Sequence, residues 1–191
     1  MMTDAADASA AARPDALRLR APRPGDAALI AHHLGDARVA RNLAQIPHPY
    51  PPGAAEALID RALAGKRTGP VYVMEAGRDL VGLAFVNGAG PGAVRIAYMV
   101  APAWRKGGHA TSGVAAVVRA QFDAGVDAII ANVFTDNDAS ARVLTRLGFA
   151  YEGEGEEWSA GRGAAAPCWR YRLTRARHEA PGAATAAEPQ G

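Results

Sequence analysis

Residues 94–111 read Val-Arg-Ile-Ala-Tyr-Met-Val-Ala-Pro-Ala-Trp-Arg-Lys-Gly-Gly-His-Ala-Thr, and this stretch determines the fold prediction. The apolar residues 94–100 predict a strand, and the pattern that begins at Thr111 predicts a long amphipathic helix, residues 111–124. A basic, glycine-rich turn, residues 105–110, joins the two. A helix N-terminus that follows such a turn presents backbone N–H groups and a positive dipole end, which together favour a phosphate.

The segments on either side alternate between strand and helix patterns. Residues 24–26 predict a turn with Asp26 as the helix N-cap, and the Pro-rich residues 46–52 and the Gly/Ala-rich residues 159–167 predict loops. The helix that follows Asp26 has apolar positions at Ala28, Leu29, Ala31 and Leu34. The other predicted strands are residues 17–20, 71–75, 80–86, 128–133, 149–153 and 168–173, and the other predicted helices are residues 39–43, 53–64 (with Ala57, Leu58, Ala62 and Leu63 on one face) and 137–147.

Length and composition favour one soluble domain. The chain has 191 residues, of which 49% are hydrophobic and 21% charged, and its net charge is +2. We expect a single domain over residues 14–177, with flexible tails at residues 1–13 and 178–191. No signal sequence or membrane-length apolar stretch is present, which predicts a cytoplasmic protein without a membrane partner. Arginines are spread along the chain, so composition does not predict nucleic-acid binding.

The lone Cys168 excludes a disulfide framework and a cysteine zinc site, and no metal is predicted. In a late apolar strand it is better explained as a buried thiol than as a nucleophile.

The turn itself has two interpretations. Gly107 and Gly108 remove two β-carbons where the chain must bend, which lets a ligand approach the backbone. They would equally suit an ordinary strand-to-helix turn. A dinucleotide-binding loop is excluded at its nearest match, Gly88-x-Gly90-x-Gly92, because that segment leads into a strand.

A second motif begins at Asn137 and includes Ser140, and Leu147-Gly148-Phe149 follow it. A capped helix that ends at Gly148 explains this pattern structurally. Asn137 and Ser140, three residues apart, also lie on one helix face, so both can reach the same ligand.

Both motifs resemble a known family. The spacing Arg105-x-x-Gly108-x-Ala110 resembles the pyrophosphate-binding signature of the GNAT superfamily of acyl-CoA-dependent N-acetyltransferases. The Asn137 motif resembles the RimJ/RimL branch, which acetylates ribosomal-protein N-termini, and the resemblance covers about residues 17–174. It implies an α/β (α+β) fold with a mixed, mostly antiparallel sheet of six to seven strands flanked by four to five helices.

The resemblance also implies acetyl-CoA as co-substrate and assigns residues to it. In the family the strand that ends at Val100 splays from its neighbour and pairs with pantetheine. Asn137 would bond the pantetheine arm or the substrate, and Ser140 would protonate the departing thiolate. The expected cofactor-binding residues are Met99, Val100, Arg105, Lys106, Gly107, Gly108, His109, Ala110, Thr111, Asn137 and Ser140.

The acceptor amine and the general base stay open. A protein N-terminus and a small-molecule amine are both expected acceptors, with specificity in the loops at residues 44–53 and 159–167. Candidate bases are Glu75, Glu152 and Glu154, although each suits a solvent-facing strand position; His48 would contact substrate or solvent, and Tyr98 would pack or form a substrate wall. The alternative is a non-catalytic acyl-CoA-binding regulatory module. Monomer and homodimer also stay open.

Overall fold

The computed structural model describes residues 17–180. The predicted N-terminal tail lies outside the described residues; the predicted C-terminal tail begins inside the last helix, and residues 181–191 lie outside them. The strands are β1 (Arg18–Arg20), β2 (Val71–Ala76), β3 (Asp79–Gly88), β4 (Ala93–Val100), β5 (Ala128–Phe134), β6 (Ala150–Ser159) and β7 (Ala164–Thr174). The helices are α1 (Ala27–Leu34), α2 (Ala37–Ala40), α3 (Ala54–Leu63), α4 (His109–Asp123), α5 (Asp138–Arg146) and α6 (Arg175–Glu179).

Seven strands form one sheet in the order β1-β2-β3-β4-β5-β7-β6. Every neighbouring pair is antiparallel except β4 and β5, which are parallel. The parallel pairing spans only three residues of β4, from Ala93 to Arg95. Beyond Arg95 the two strands have no register partners, so the sheet opens between them. The fold class and the splayed strand are as predicted, but the described residues form six helices, two of them short, instead of four to five.

Helices cover both faces of the sheet. Val114, Val117 and Phe122 of α4 pack with Leu144 of α5 in one buried cluster against the sheet. Ile30 and Leu34 of α1 and Leu58 of α3 belong to a second cluster on the other face. Alternate strand residues supply both clusters, because successive side chains of a strand point to opposite faces. The two helix layers place α4 and α5 together at one face of the β4–β5 opening.

Glycines bring α4 and the strands close together near that opening. A β-carbon at Gly113 of α4 would meet the Met74 side chain, and one at Gly82 of β3 would meet the Met99 carbonyl oxygen. Neither site has room for a larger residue without a shift. The close packing holds the start of α4 against β2 and β3.

Several predictions about helix faces and element boundaries are wrong. Ala28, predicted on the apolar face of the first helix, is exposed. Leu29 and Leu63 are 48% and 56% exposed, and the buried faces instead carry Ile30 in α1 and Ile59 in α3. α2 begins at Ala37, because Asp36 caps it by accepting from the Arg38 N–H. Residues 164–167 of the predicted loop belong to β7 and Ser159 belongs to β6, since pairing between these strands outweighs weak strand propensity.

A buried ionic network ties β1 to the segment before α1. Arg20 donates to both carboxylate oxygens of Asp26, at 2.7 and 2.9 Å, and to Glu75 at 2.7 Å. Asp26 also accepts from the Arg23 N–H, so its carboxylate closes this turn and does not cap α1 as predicted. Glu75 is 5% exposed and also bonds Arg18. The network is therefore structural.

Among the helices of residues 17–180, none has the length and apolar character needed to cross a bilayer.

Candidate active site

The turn between β4 and α4 contains a run of free backbone donors. Ser112 is the first residue whose N–H bonds back into the chain there, to the Gly108 carbonyl at 3.0 Å. The N–H groups of residues 106–111 donate to no acceptor within the part of the chain that the structure describes. The first N–H groups of a helix lack intrahelical partners, and here the turn adds three more. Such a run of donors suits an anion.

Two residues of this turn have positive φ angles, Lys106 (68°) and Gly108 (78°). For Lys106 this left-handed conformation costs about 1–2 kcal/mol, which marks the turn as constrained. A β-carbon at Gly108 would meet no described atom within 4 Å. One at Gly107 would lie 2.8 Å from the His109 ring. Gly108 therefore gives the turn its dihedral, whereas Gly107 makes room for His109.

His109 and Trp104 brace the turn from within. Their rings meet edge to face at 5.4 Å, and His109 Nδ1 lies 3.1 Å from the Trp104 carbonyl oxygen. Arg105 folds back toward β4, where its Nε lies 3.4 Å from the Val100 carbonyl oxygen. These contacts hold the turn in place beside the end of β4.

The end of β4 exposes backbone groups toward the opening in the sheet. Antiparallel strands alternate between hydrogen-bonded and non-hydrogen-bonded pairs. The Ala101 N–H bonds the Val81 carbonyl, so the alternation directs the N–H groups of Tyr98 and Val100 away from β3. β5 has no register partner for them there. They are consequently available to an extended ligand.

The start of α5 lies on the other side of this opening. Asn137 is the N-cap, and its Oδ1 accepts from the Ser140 N–H at 3.3 Å. The Ser140 hydroxyl lies 2.7 Å from the Tyr98 hydroxyl. Tyr98 therefore does more than pack. Burial raises the pKa of Tyr98 to about 12, and its bond with Ser140 opposes that rise.

A cavity of about 510 Å³ lies at the opening and is the larger of two cavities there. Nearly all the predicted cofactor-binding residues line it. The β4 end, the turn and the α5 start all line it, whereas Gly107 does not. The predicted residues that line it are Met99, Val100, Arg105, Lys106, Gly108, His109, Ala110, Thr111, Asn137 and Ser140.

A second, smaller cavity of about 270 Å³ adjoins it from the side of α3. Asn42 and Leu43 line both cavities, and the neighbouring Ala97 and Tyr98 line one each. The predicted specificity loop supplies six of its residues: Ala44, Gln45, Ile46, Pro47, Tyr50 and Pro51. Residues 159–167 line neither cavity, but Ala160 donates to the Ala44 carbonyl at 2.8 Å and so braces that loop.

The predicted bases lie elsewhere. Glu75 is held by Arg20 and Arg18, which keep its pKa below the usual value. Glu152 pairs with Arg172 on the exposed edge, and Glu154 is exposed; neither lines a cavity. His48 is exposed and lines neither cavity. Among the described residues, Glu157 is the one carboxylate that lines either cavity.

Sequence reasoning missed Glu157, although it stands out in β6: Glu152, Glu154 and Glu156 alternate with glycines, and Glu157 breaks that alternation. That pattern does not say which glutamate faces the opening. Cys168 is fully buried, and burial raises the pKa of its thiol, as a structural thiol requires. No cluster of metal-ligating side chains occurs within residues 17–180.

Solved structures of similar fold include three acetyltransferases. Mycobacterium smegmatis RimJ in complex with CoA-disulfide is 22% identical, with a TM-score of 0.76 over 87% of this chain and 86% of that one. Spermidine N-acetyltransferase from Vibrio cholerae, in complex with CoA and spermine, is 17% identical, with a TM-score of 0.76 over 85% and 98%. RimL, a ribosomal α-N-protein acetyltransferase in complex with coenzyme A, is 17% identical, with a TM-score of 0.74 over 83% and 94%.

No curated protein matches the chain significantly. The structural likenesses lie below 25% identity and confirm the predicted fold. A family model described as acetyltransferase (GNAT) domain matches residues 16–150. Because this match covers more than half of the sequence, the chain belongs to the GNAT acetyltransferase family, as predicted.

Proposed function

We propose that the protein transfers an acetyl group from acetyl-CoA to a primary amine, either a protein N-terminus or a small molecule, by direct transfer in a ternary complex. One observation carries this proposal. The six N–H groups of residues 106–111 have no acceptor among the described residues, and the turn that holds them lines the larger cavity. A diphosphate supplies the acceptors that these donors lack.

The remaining predicted residues then acquire roles along the same cavity. Arg105 and Lys106 add positive charge beside the diphosphate. The free edge of β4 near Val100 pairs with the pantetheine arm as an added strand would, and its N–H polarises the thioester carbonyl. Asn137 uses Oδ1 to cap α5, which leaves its Nδ2 to donate to the same arm.

The smaller cavity holds the acceptor. Its boundary with the larger cavity, at Asn42 and Leu43, is where an amine and a thioester would meet. The amine nitrogen attacks the carbonyl carbon, the new C–N bond forms and the C–S bond breaks. Glu157 takes up the amine proton, and Ser140 donates a proton to the departing thiolate.

Two measurements test the proposal together. Calorimetry is expected to show that the protein binds acetyl-CoA. Free CoA thiol is expected to appear when primary amines are added. Tight binding without turnover on any amine would instead support a non-catalytic acyl-CoA-binding module. Absence of both would refute the proposal.

A further inference from the structure

The smaller cavity carries an excess of positive charge. Its charged lining residues are Arg61, Arg67, Arg95 and Glu157. Arg95 Nη1 lies 3.3 Å from Glu157 Oε1, so these two charges compensate each other. Arg61 and Arg67 form no salt bridge with any carboxylate of residues 17–180. Two guanidinium groups therefore line the cavity without an internal counter-charge.

Arg67 is held in place but incompletely satisfied. Its Nη2 donates to Asn87 Oδ1 at 3.0 Å. Its Nε is buried and has no hydrogen-bond partner in the described chain. Burial, together with the charge of Arg61, lowers the pKa of Arg67, so the two cations are close enough to repel each other. Arg61 is exposed and Arg67 is partly buried, and an anion bound between them would accept from the unpaired Nε and offset the repulsion between the two cations.

The positive and negative charges of the smaller cavity are held by different strands. In the sheet order, β3 and β6 lie on opposite sides of the β4–β5 opening. Asn87, which holds Arg67, belongs to β3, whereas Glu157 belongs to β6. Arg67 is thus held from the β3 side and the carboxylate comes from the β6 side, where Glu157 also contacts Arg95 of β4. A molecule with an amine at one end and an anion at the other matches both sides.

We propose that the acceptor amine carries a carboxylate or another anionic group, which binds Arg61 and Arg67 while the amine faces Glu157. This inference rests on the proposed acetyl transfer and names its substrate class. A polyamine, such as the spermine in the Vibrio cholerae complex, would place further positive charge beside two unpaired guanidinium groups. Such an acceptor is disfavoured here.

Two sources supply the same chemistry, and one experiment separates them. Thiol release is measured at low salt with a peptide whose second residue is aspartate and with its asparagine counterpart. A small ω-amino acid and its amide form a second pair, and spermidine is added as a polycation. We expect kcat/KM to be at least about 10-fold higher for the carboxylate member of a pair, and the ratio to shrink as salt is added. The pair with the larger ratio identifies the source.

Two variants test whether the preference for a carboxylate arises in the smaller cavity. Arg67→Gln removes the cation but retains an amide that can bond Asn87, so the carboxylate-to-amide ratio is expected to fall several-fold. Arg78→Gln, on the exposed β2–β3 turn, is the matched control and should leave the ratio unchanged. Equal kcat/KM for both members of both pairs, or a preference for spermidine, overturns this inference even if Arg67→Gln does not fold. No thiol release with any acceptor overturns the proposed function as well.

Discussion

The hydroxyl groups of Tyr98 and Ser140 lie 2.7 Å apart, across the opening between β4 and α5. Either oxygen can donate in this pair. A tyrosine phenol is protonated at neutral pH, and burial raises the pKa of Tyr98 further, to about 12. Tyr98 can therefore donate to Ser140 while the Ser140 hydroxyl donates onward to a departing thiolate. In the acetyl transfer that we propose, the pair would act as a short proton relay at the wall of the larger cavity.

If the relay acts as one unit, its two members cannot contribute independently. Ser140→Ala is expected to lower kcat by roughly 100-fold while leaving the acetyl-CoA dissociation constant nearly unchanged. Tyr98→Phe should lower kcat in the same direction, and the double variant should be little worse than Ser140→Ala alone. Ser112→Ala, an exposed serine of α4, is the control. If Ser140→Ala turns over as fast as the unsubstituted protein, Ser140 does not act as the acid.

Gly108 tests the turn. Its φ angle is 78°, and Gly125, just after α4, has a φ of 87°; neither β-carbon position meets a described atom within 4 Å. Gly108→Val and Gly125→Val should therefore both lose roughly 1–2 kcal/mol of folding free energy through backbone strain. Only Gly108→Val should also weaken acetyl-CoA binding sharply, since its side chain blocks the approach to the free N–H groups. Equal dissociation constants by calorimetry for the two variants would argue against this role.

Glu157 tests the acceptor side. Glu157→Gln keeps the shape of the side chain but removes the carboxylate that we propose as the acceptor of the amine proton. We expect kcat/KM for amine acetylation to fall roughly 100-fold, with acetyl-CoA binding unchanged. Glu154→Gln, an exposed glutamate of the same strand, should behave like the original chain. A pH–rate profile that is identical in Glu157→Gln and in the original chain would contradict the assignment.

The Asp26–Arg20 pair makes a prediction about stability. Hydrogen bonds from Arg20 hold the pKa of Asp26 below its usual value of 3.8, so its ionised form stabilises the folded state. That contribution is complete above about pH 5, well above the unfolded-state pKa, and is lost as pH falls through the lowered folded-state pKa. Asp26→Asn should lower the free energy of unfolding at pH 7 by about 3 kcal/mol, measured by urea denaturation.

The same variant should lose less stability than the original chain on acidification below pH 4. Asp60→Asn, an exposed aspartate of α3, serves as the control with little expected change. An Asp26→Asn protein as stable as this control at pH 7 would show that the pair contributes nothing measurable.

Much of the fold could be predicted from the sequence because its strands and helices have clear hydrophobic patterns. Short apolar runs predict β2 to β5, and the 3.6-residue pattern predicts α4 and α5, each to within two residues of its bounds. The same reasoning wrongly predicts that Leu29 and Leu63 are buried, since both are apolar yet face away from the sheet. Their helices already bury Ile30 and Ile59, and the sheet contacts only one face of each.

The turn at residues 106–111 and the smaller cavity also differ in how well the sequence alone predicts them. Free N–H groups at residues 106–111 follow from a local turn, so adjacent residues predict them. The smaller cavity unites Arg67 from a loop, Arg95 from β4 and Glu157 from β6, which are far apart in sequence. Only the sheet order brings them together, and no local spacing encodes it. Cytoplasmic location stays a prediction from composition.

The most direct test of the whole account is a crystal structure of the protein with acetyl-CoA bound. We expect the diphosphate within hydrogen-bonding distance of the main-chain N–H groups of residues 106–111, with the thioester between Val100 and Ser140. A diphosphate bound elsewhere, with that turn unchanged and empty, would contradict the account.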